Sequence, residues 1–254
     1  MAKTNKAISA NLLQSLISKI STKVLSVSSL TDEQVETLIY YYFFLDREVE
    51  ARHASFDLCF LYFQSHRGHL ASTSINMENS CMHLWSYLAS WGMFRNSKLS
   101  KHSPAVLKPL MRYLDMIKSS PIWSMDLNNY NKTLVLQIFS DITTLLSAAI
   151  RFNPTVTLVT KIMLGIFGCI PAFDQNFRKA FRNITDDSGN SSNFQLCRDR
   201  ELSIIINFYV AHKSLFDHLK GNIDVLNING KKTAYKYTIA KLIDMFGFAS
   251  GILL

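Results

Sequence analysis

Glycine and proline are scarce in this sequence, and their scarcity excludes the turn-rich folds. The 254 residues include 9 glycines and 5 prolines. With so few turn-forming residues, a sandwich or barrel of many short strands is disfavoured and long helices are expected. One hairpin signal is present, at Asn229-Gly230. We predict an all-α fold with at most one small β-hairpin. We expect residues 1–254 to form one helical domain, or two helical halves that flank a cleft and meet near residues 67–78.

Cysteine is also rare, and the usual metal-binding spacings are missing. The four cysteines are far apart, and no C-x-x-C pair occurs. The seven histidines are scattered, and the sequence contains no P-loop, dinucleotide fingerprint, G-x-S-x-G or H-E-x-x-H motif. We therefore predict no metal and no organic cofactor. Widely spaced cysteines are typical of reduced thiols in the cytoplasm.

Acidic residues are too few to balance the basic ones. Lys and Arg number 27 against 19 Asp and Glu, for a net charge of +8. Such an excess suits a polyanionic partner, first nucleic acid and second an anionic membrane surface, although simple solubility also explains it. The N-terminus lacks the continuous apolar run of a signal peptide. The apolar segments 133–150 and 157–173 each contain a charged residue, which favours buried helices over membrane spans.

One stretch, RFNPTVTLVTKIMLGIFGCIPAFDQNFRKAF, combines several signals. Thr155 is placed to begin an apolar helix that runs to about Gly168. Pro171 pushes the residue before it out of helical geometry, so a short extended link is expected. Asp174 then precedes a short basic helix as its N-cap. Residues 151–182 hold five basic residues and one acid, an excess suited to phosphate contact.

This order of elements resembles the helix-hairpin-helix DNA glycosylase superfamily (HhH-GPD). In that family a hairpin between two helices grips DNA, and an apolar helix leads to a P-x-x-D-x-x-V-x-R stretch with a catalytic Asp. The matching residues here are Pro171, Asp174, Phe177 and Lys179. The turn FNPTV has no glycine where the family's hairpin is glycine-rich. No lysine stands where the family's strand-cleaving members carry one, which corresponds here to residues 155–157. The resemblance therefore implies a monofunctional enzyme that uses water.

The resemblance implies roles for several residues and a partner. Asp174 is the expected catalytic carboxylate, which supports water-driven attack at C1′ of a base extruded from double-stranded DNA. The enzyme is expected to act as a monomer, away from membranes, in repair or in defence against foreign DNA. Contacts with DNA are expected from Lys161, Asn176, Arg178, Lys179 and Arg182. The alternative for Asp174 is an ordinary helix cap.

A second cluster combines aromatic and basic residues. Trp91 is placed to stack on an extruded base, and Arg95 to meet a phosphate or the end of the preceding helix. The alternative is that Trp91 belongs to the core. The segment YKYTIAKLIDMF reads as an amphipathic helix with its lysines facing out. The alternative functions are a non-enzymatic helical module that binds nucleic acid or protein, and a peripheral membrane protein.

Overall fold

A computed structural model describes residues 25–45, 51–95, 97–185 and 188–254, and most of these residues lie in helices. This confirms the predicted fold class. The α-helices of the described residues are α1 Asp32–Leu45, α2 Ala54–Ser65, α3 Ser74–Ser90, α4 Lys108–Met116, α5 Lys132–Ile150, α6 Val156–Phe167, α7 Gln175–Phe181, α8 Asp199–Ala211, α9 Lys213–Asn222 and α10 Ile239–Leu253. Short 3₁₀ turns cover Val27–Ser29, Lys98–Lys101, Pro104–Leu107, Pro121–Ser124 and Leu127–Asn129.

Strands contribute little to the described part of the chain. The predicted hairpin exists: β3 (Asp224–Leu226) pairs antiparallel with β4 (Lys232–Lys236). Gly230 sits in its turn with φ of 69°, a conformation that costs glycine little. A further two-residue parallel pair, β1 (Leu25–Ser26) with β2 (Ile184–Thr185), was not expected from the sequence.

Side-chain caps set several helix ends. Thr31 Oγ1 accepts from the Gln34 amide at 3.3 Å, and Gln34 Oε1 accepts from the Thr31 amide at 3.1 Å, so the two form a capping box at α1. Thr155 caps α6 by accepting from the Leu158 amide. Gly168 ends α6 in the left-handed region with φ of 65°, where a side chain would be strained. The sequence predicted both ends of α6.

Helix α10 forms the centre of the molecule and positions the site described below. Its residues from Ile239 to Gly251 are all buried, and it packs against α1, α7 and α9. The carboxylate of Asp115 accepts from the amides of Leu70 and Ala71, which ties the α2–α3 connection to α4. The segment 67–78 thus belongs to a packed helical hairpin.

One helix of the described residues, α5, is long and apolar enough to span a membrane by length and composition. Such a helix also occurs in the core of soluble proteins. Asp141, near its middle, accepts hydrogen bonds from Tyr113 and Gln137, and α5 packs against α4, α6 and α8. These contacts hold α5 against the neighbouring helices of the fold.

Candidate functional site

Asp174 lies where the link 168–173 ends and α7 begins. Its Oδ1 accepts from the Phe177 amide at 3.0 Å, so it caps α7 as predicted. Its Oδ2 accepts from Lys161 Nζ at 2.9 Å. The Asp174 side chain is 17% exposed, so the carboxylate stands at the edge of the protein interior. Capping alone uses one of its two oxygens, and the second belongs to an ion pair.

Lys161 is the buried partner of Asp174. It lies in the middle of α6, and its side chain is 3% exposed. Its ammonium is 4.3 Å from the ring centroid of Trp91, an arrangement that attracts a cation to an aromatic face. Lys161 was expected to reach a DNA phosphate, but in the structure its charge meets a carboxylate and an indole.

The extended link before Asp174 is held by three side chains. Thr160 Oγ1 accepts from the Phe173 amide at 3.0 Å, and Thr157 donates to the Phe173 carbonyl at 2.7 Å. Asp244 Oδ1, from α10, accepts from the Ala172 amide at 3.0 Å. Because these bonds satisfy buried backbone groups on both sides of the link, the position of Asp174 is set by α6 and α10 together.

A second buried ion pair lies on α10. Lys241 Nζ is 2.9 Å from Asp244 Oδ2, and the two side chains are 1% and 6% exposed. Lys241 Nζ also lies 3.2 Å from the Tyr42 hydroxyl oxygen and 4.7 Å from the ring centroid of Phe56. The expectation that the lysines of this helix face outward was wrong for Lys241, because α10 is buried on all sides.

Trp91 connects the two ion pairs. It is the C-cap residue of α3, and its ring lies within 5.9 Å of Lys241 Nζ as well as over Lys161. The rings of His53 and Phe248 meet it edge-on. Its Nε1 is buried and has no hydrogen-bond partner among the described residues. The site is therefore one cluster of two lysines and two aspartates around a half-buried indole.

Burial and charge act in opposition on the titratable groups of this cluster. Burial would raise the pKa of Asp174, but the Lys161 charge and the Phe177 amide outweigh it, so the pKa lies below its usual value. Burial would lower the pKa of Lys241, but Asp244 and Tyr42 raise it above its usual value. Burial raises the pKa of Tyr42 to about 12. Asp174 and Lys241 therefore remain ionised near neutral pH.

The other predicted residues lie along α7 or near Trp91. Arg178 and Lys179 are half-buried, and Arg182 is exposed at the C-terminal end of α7. The backbone of Asn176 faces Gly251 of α10. Arg95 is exposed, and its side chain lies beside Gly92. The structure thus unites Asp174, Lys161 and Trp91, with Asn176 on the same helix cap, and leaves the other cations nearer the surface.

Sequence reasoning missed Lys241, Asp244 and Tyr42. A signal for the first two was present: two oppositely charged residues three apart inside the apolar run TIAKLIDMFGFA. Charged residues are almost never buried unless they are paired, so a Lys and an Asp in such a run indicate a buried pair. Nothing near Tyr42 in the sequence connects it to α10.

No group of three or more His, Cys, Asp and Glu side chains that could hold a metal occurs within the described ranges. The site offers an ionised carboxylate, two ammonium groups and aromatic faces, which suits stabilisation of a developing charge. No protein-family model, curated protein or solved structure matches this chain.

Proposed function

We propose that this protein is a DNA glycosylase-like hydrolase that excises a modified or damaged base by water-driven cleavage of the N-glycosidic bond. Asp174 is the catalytic carboxylate. The observation that carries the proposal is an ionised carboxylate at the edge of a buried aromatic and cationic cluster, at the N-terminus of a basic helix. The protein acts in the cytoplasm as a monomer, in repair or in defence against foreign DNA.

The chemistry requires an anion in a fixed position. Cleavage of an N-glycosidic bond develops positive charge on the sugar, and a preorganised carboxylate near C1′ stabilises that charge. A lowered pKa makes Asp174 a weak base but keeps it ionised. Asp174 is therefore suited to stabilise charge and orient water more than to abstract a proton. Lys161 holds its second oxygen and acts as a positioning residue.

The helix order supports the same proposal. The elements follow the order expected from the resemblance to helix-hairpin-helix glycosylases. That order is helix α5, the turn at 151–155, helix α6, the link 168–173, Asp174 and the basic helix α7. The half-buried ring of Trp91, beside Lys161, is the aromatic surface on which an extruded base would stack. Arg95, Arg178, Lys179 and Arg182 supply positive charge for the flanking phosphates.

A second candidate is a helical module that binds nucleic acid or protein and performs no chemistry. One observation favours it: each oxygen of Asp174 already accepts a hydrogen bond, and only 17% of the side chain is exposed. In this case Asp174 is structural, and its replacement by asparagine, itself a good cap, leaves the binding of any partner unchanged.

The test uses duplexes that carry a panel of modified bases beside unmodified DNA. After incubation, alkali converts abasic sites to strand breaks. We expect breaks with one class of modification, and a roughly 100-fold or greater loss of rate in Asp174→Asn with duplex binding retained. The control is Asp217→Asn, which removes a carboxylate paired with Lys213 at the surface of α9. If no duplex of the panel yields breaks although the protein binds DNA, the second candidate replaces the first.

A further inference from the structure

Three arginines line a cavity of about 500 Å³ beside the C-terminal end of α7. Arg182 comes from α7, and Arg198 and Arg200 come from the start of α8. Ser191 and Asn193 add polar groups from the loop between the two helices. Of these three arginines, only Arg182 lies at the end of the basic helix that follows Asp174, whereas Arg198 and Arg200 lie at the start of α8.

Basic side chains outnumber acidic ones among the described residues that line this cavity. Among the described residues that line it, Glu201 is the acidic one, and both of its carboxylate oxygens are already engaged. Oε1 accepts from Ser192 Oγ at 2.5 Å, and Oε2 accepts from the Arg198 amide at 3.1 Å. None of the three guanidinium groups forms an ion pair with a carboxylate of residues 25–45, 51–95, 97–185 or 188–254.

The walls of the cavity are held in place by packing. Phe194, in the middle of the loop, is fully buried with φ of 51°, an unusual conformation for a bulky residue. Its ring meets Phe173, Phe177 and Phe181 edge-on. These are the rings on either side of Asp174 and along α7. The loop that forms one wall is thus anchored to the helix that Asp174 caps.

We propose that this cavity binds a phosphate group of a DNA strand. Guanidinium groups bind phosphate through paired N–H donors, and three of them with one engaged carboxylate leave an excess of positive charge. Arg182 follows Asp174 by eight residues, or about 12 Å at 1.5 Å per residue. That distance corresponds to three or four nucleotides along a duplex strand. The inference rests on the proposed function in one respect only, the source of the phosphate. That source is the DNA strand whose extruded base faces Asp174.

The test measures the affinity for an unmodified duplex between 50 and 200 mM salt, which requires no chemistry. The variant is Arg182→Gln, Arg198→Gln and Arg200→Gln combined. We expect the slope of log affinity against log salt to become shallower by about 1 to 2, since each phosphate contact contributes about 0.9. The matched control replaces Lys108, Arg112 and Lys118 by glutamine. These three are exposed residues on and just after α4, and their loss is expected to change the slope by less than half as much.

Each result bears on the inference. If the control lowers the slope as much as the arginine variant, or if the arginine variant binds like the wild type, the cavity is not a strand-binding site. Arg→Lys at all three positions is expected to keep the slope but weaken binding, because the charge remains and the paired donors are lost. Because the three arginine side chains are exposed, their replacement is expected to leave the fold intact. Circular dichroism of each variant checks this.

The source of the phosphate is tested with inorganic phosphate and a 5′-mononucleotide. If the arginine variant loses binding of these small anions in calorimetry while duplex binding is unchanged, the cavity takes a free phosphate and the inference is overturned. The proposed function fails separately. If the wild type releases no base but the arginine variant has a shallower salt slope, the glycosylase proposal fails and the phosphate site stands. If the wild type releases a base but the arginine variant keeps the wild-type slope, the phosphate site fails and the glycosylase proposal stands.

Discussion

Asp174 combines two roles that usually belong to different residues. It caps α7 through one oxygen and pairs with the buried Lys161 through the other. A cap alone tolerates asparagine or serine, but a partner for a buried ammonium requires a negative charge. Breaking a buried pair by removal of one partner costs about 3 to 5 kcal/mol, because the other charge stays buried. The residue thus has a strong structural role whether or not it also has a chemical one.

The effect of Asp174→Asn on the free energy of unfolding, measured against pH, separates the role in the ion pair from the role as a helix cap. The pKa of Asp174 in the folded protein lies below the ordinary value of 3.8. Its contribution to the free energy of unfolding is therefore fully present above pH 3.8 and lost as the pH falls through the folded-state pKa. We expect the wild type to be more stable than the variant by about 3 kcal/mol at pH 7, and this difference to shrink below pH 3.8.

Urea denaturation of both proteins from pH 7 to pH 2 measures this difference. Asp217→Asn serves as the control, because its ion pair with Lys213 is exposed and screened by solvent, and a much smaller change is expected. A difference between wild type and Asp174→Asn that stays constant across the whole pH range would contradict the assignment of an ion pair to Asp174.

At the scale of elements, the site depends on how closely α7 packs against α10. Gly247 and Gly251 of α10 make this approach possible. A Cβ atom built at Gly247 would lie 2.4 Å from Cδ2 of Phe177, and one at Gly251 would lie 2.0 Å from the carbonyl oxygen of Asn176. Neither glycine is needed for its backbone angles, since neither has positive φ. Gly251 lets the backbone of α7 lie against α10, and Gly247 leaves room for the ring of Phe177.

Gly251→Ala is therefore expected to destabilise the protein by about 2 kcal/mol, because a methyl group would press on backbone that cannot rotate away. The matched control is Gly221→Ala in α9, where a Cβ atom would meet nothing within 4 Å. We expect that change to stabilise the protein by about 0.5 kcal/mol, since alanine loses less backbone entropy on folding. Thermal unfolding of both variants measures the contrast, and equal effects would show that α7 and α10 are not in close contact.

At the scale of the whole molecule, one buried helix joins regions that are distant in the sequence. Helix α10 contacts α1 near the start of the described residues and α7 and α9 in the second half. The connection at 67–78 is fastened to α4 by Asp115. Long-range contacts of this kind favour a single cooperative unit over two lobes that unfold independently.

We accordingly expect one unfolding transition in urea. Circular dichroism reports the helices of the whole chain, and fluorescence reports Trp85, Trp91 and Trp123, which lie in α3, at its end and in a 3₁₀ turn. The two signals should follow the same curve. Two separated transitions would instead support a boundary near residues 67–78.

Local signals were sufficient for several features of the site. The cap at Thr155, the end of α6 at Gly168, the interruption of the helix around Pro171 and the cap at Asp174 all appear in the structure where the sequence predicted them. Each depends on residues within one helical turn. The orientation of Lys241 was not predictable in this way, because an amphipathic pattern assumes one solvent-facing side and α10 has none.

The sequence by itself determined the helical class of this protein, its hairpin turn at Gly230 and the ends of α6, because caps and turns are set by neighbouring residues. The tertiary structure alone decided that Lys161 faces Asp174, that Lys241 and Trp91 join them, and that Arg182 lines one cavity with Arg198 and Arg200. These contacts connect residues from different helices, and the packing around α10 determines which side chains meet. The pairing of buried charges follows from that packing, because an unpaired charge would be too costly inside it.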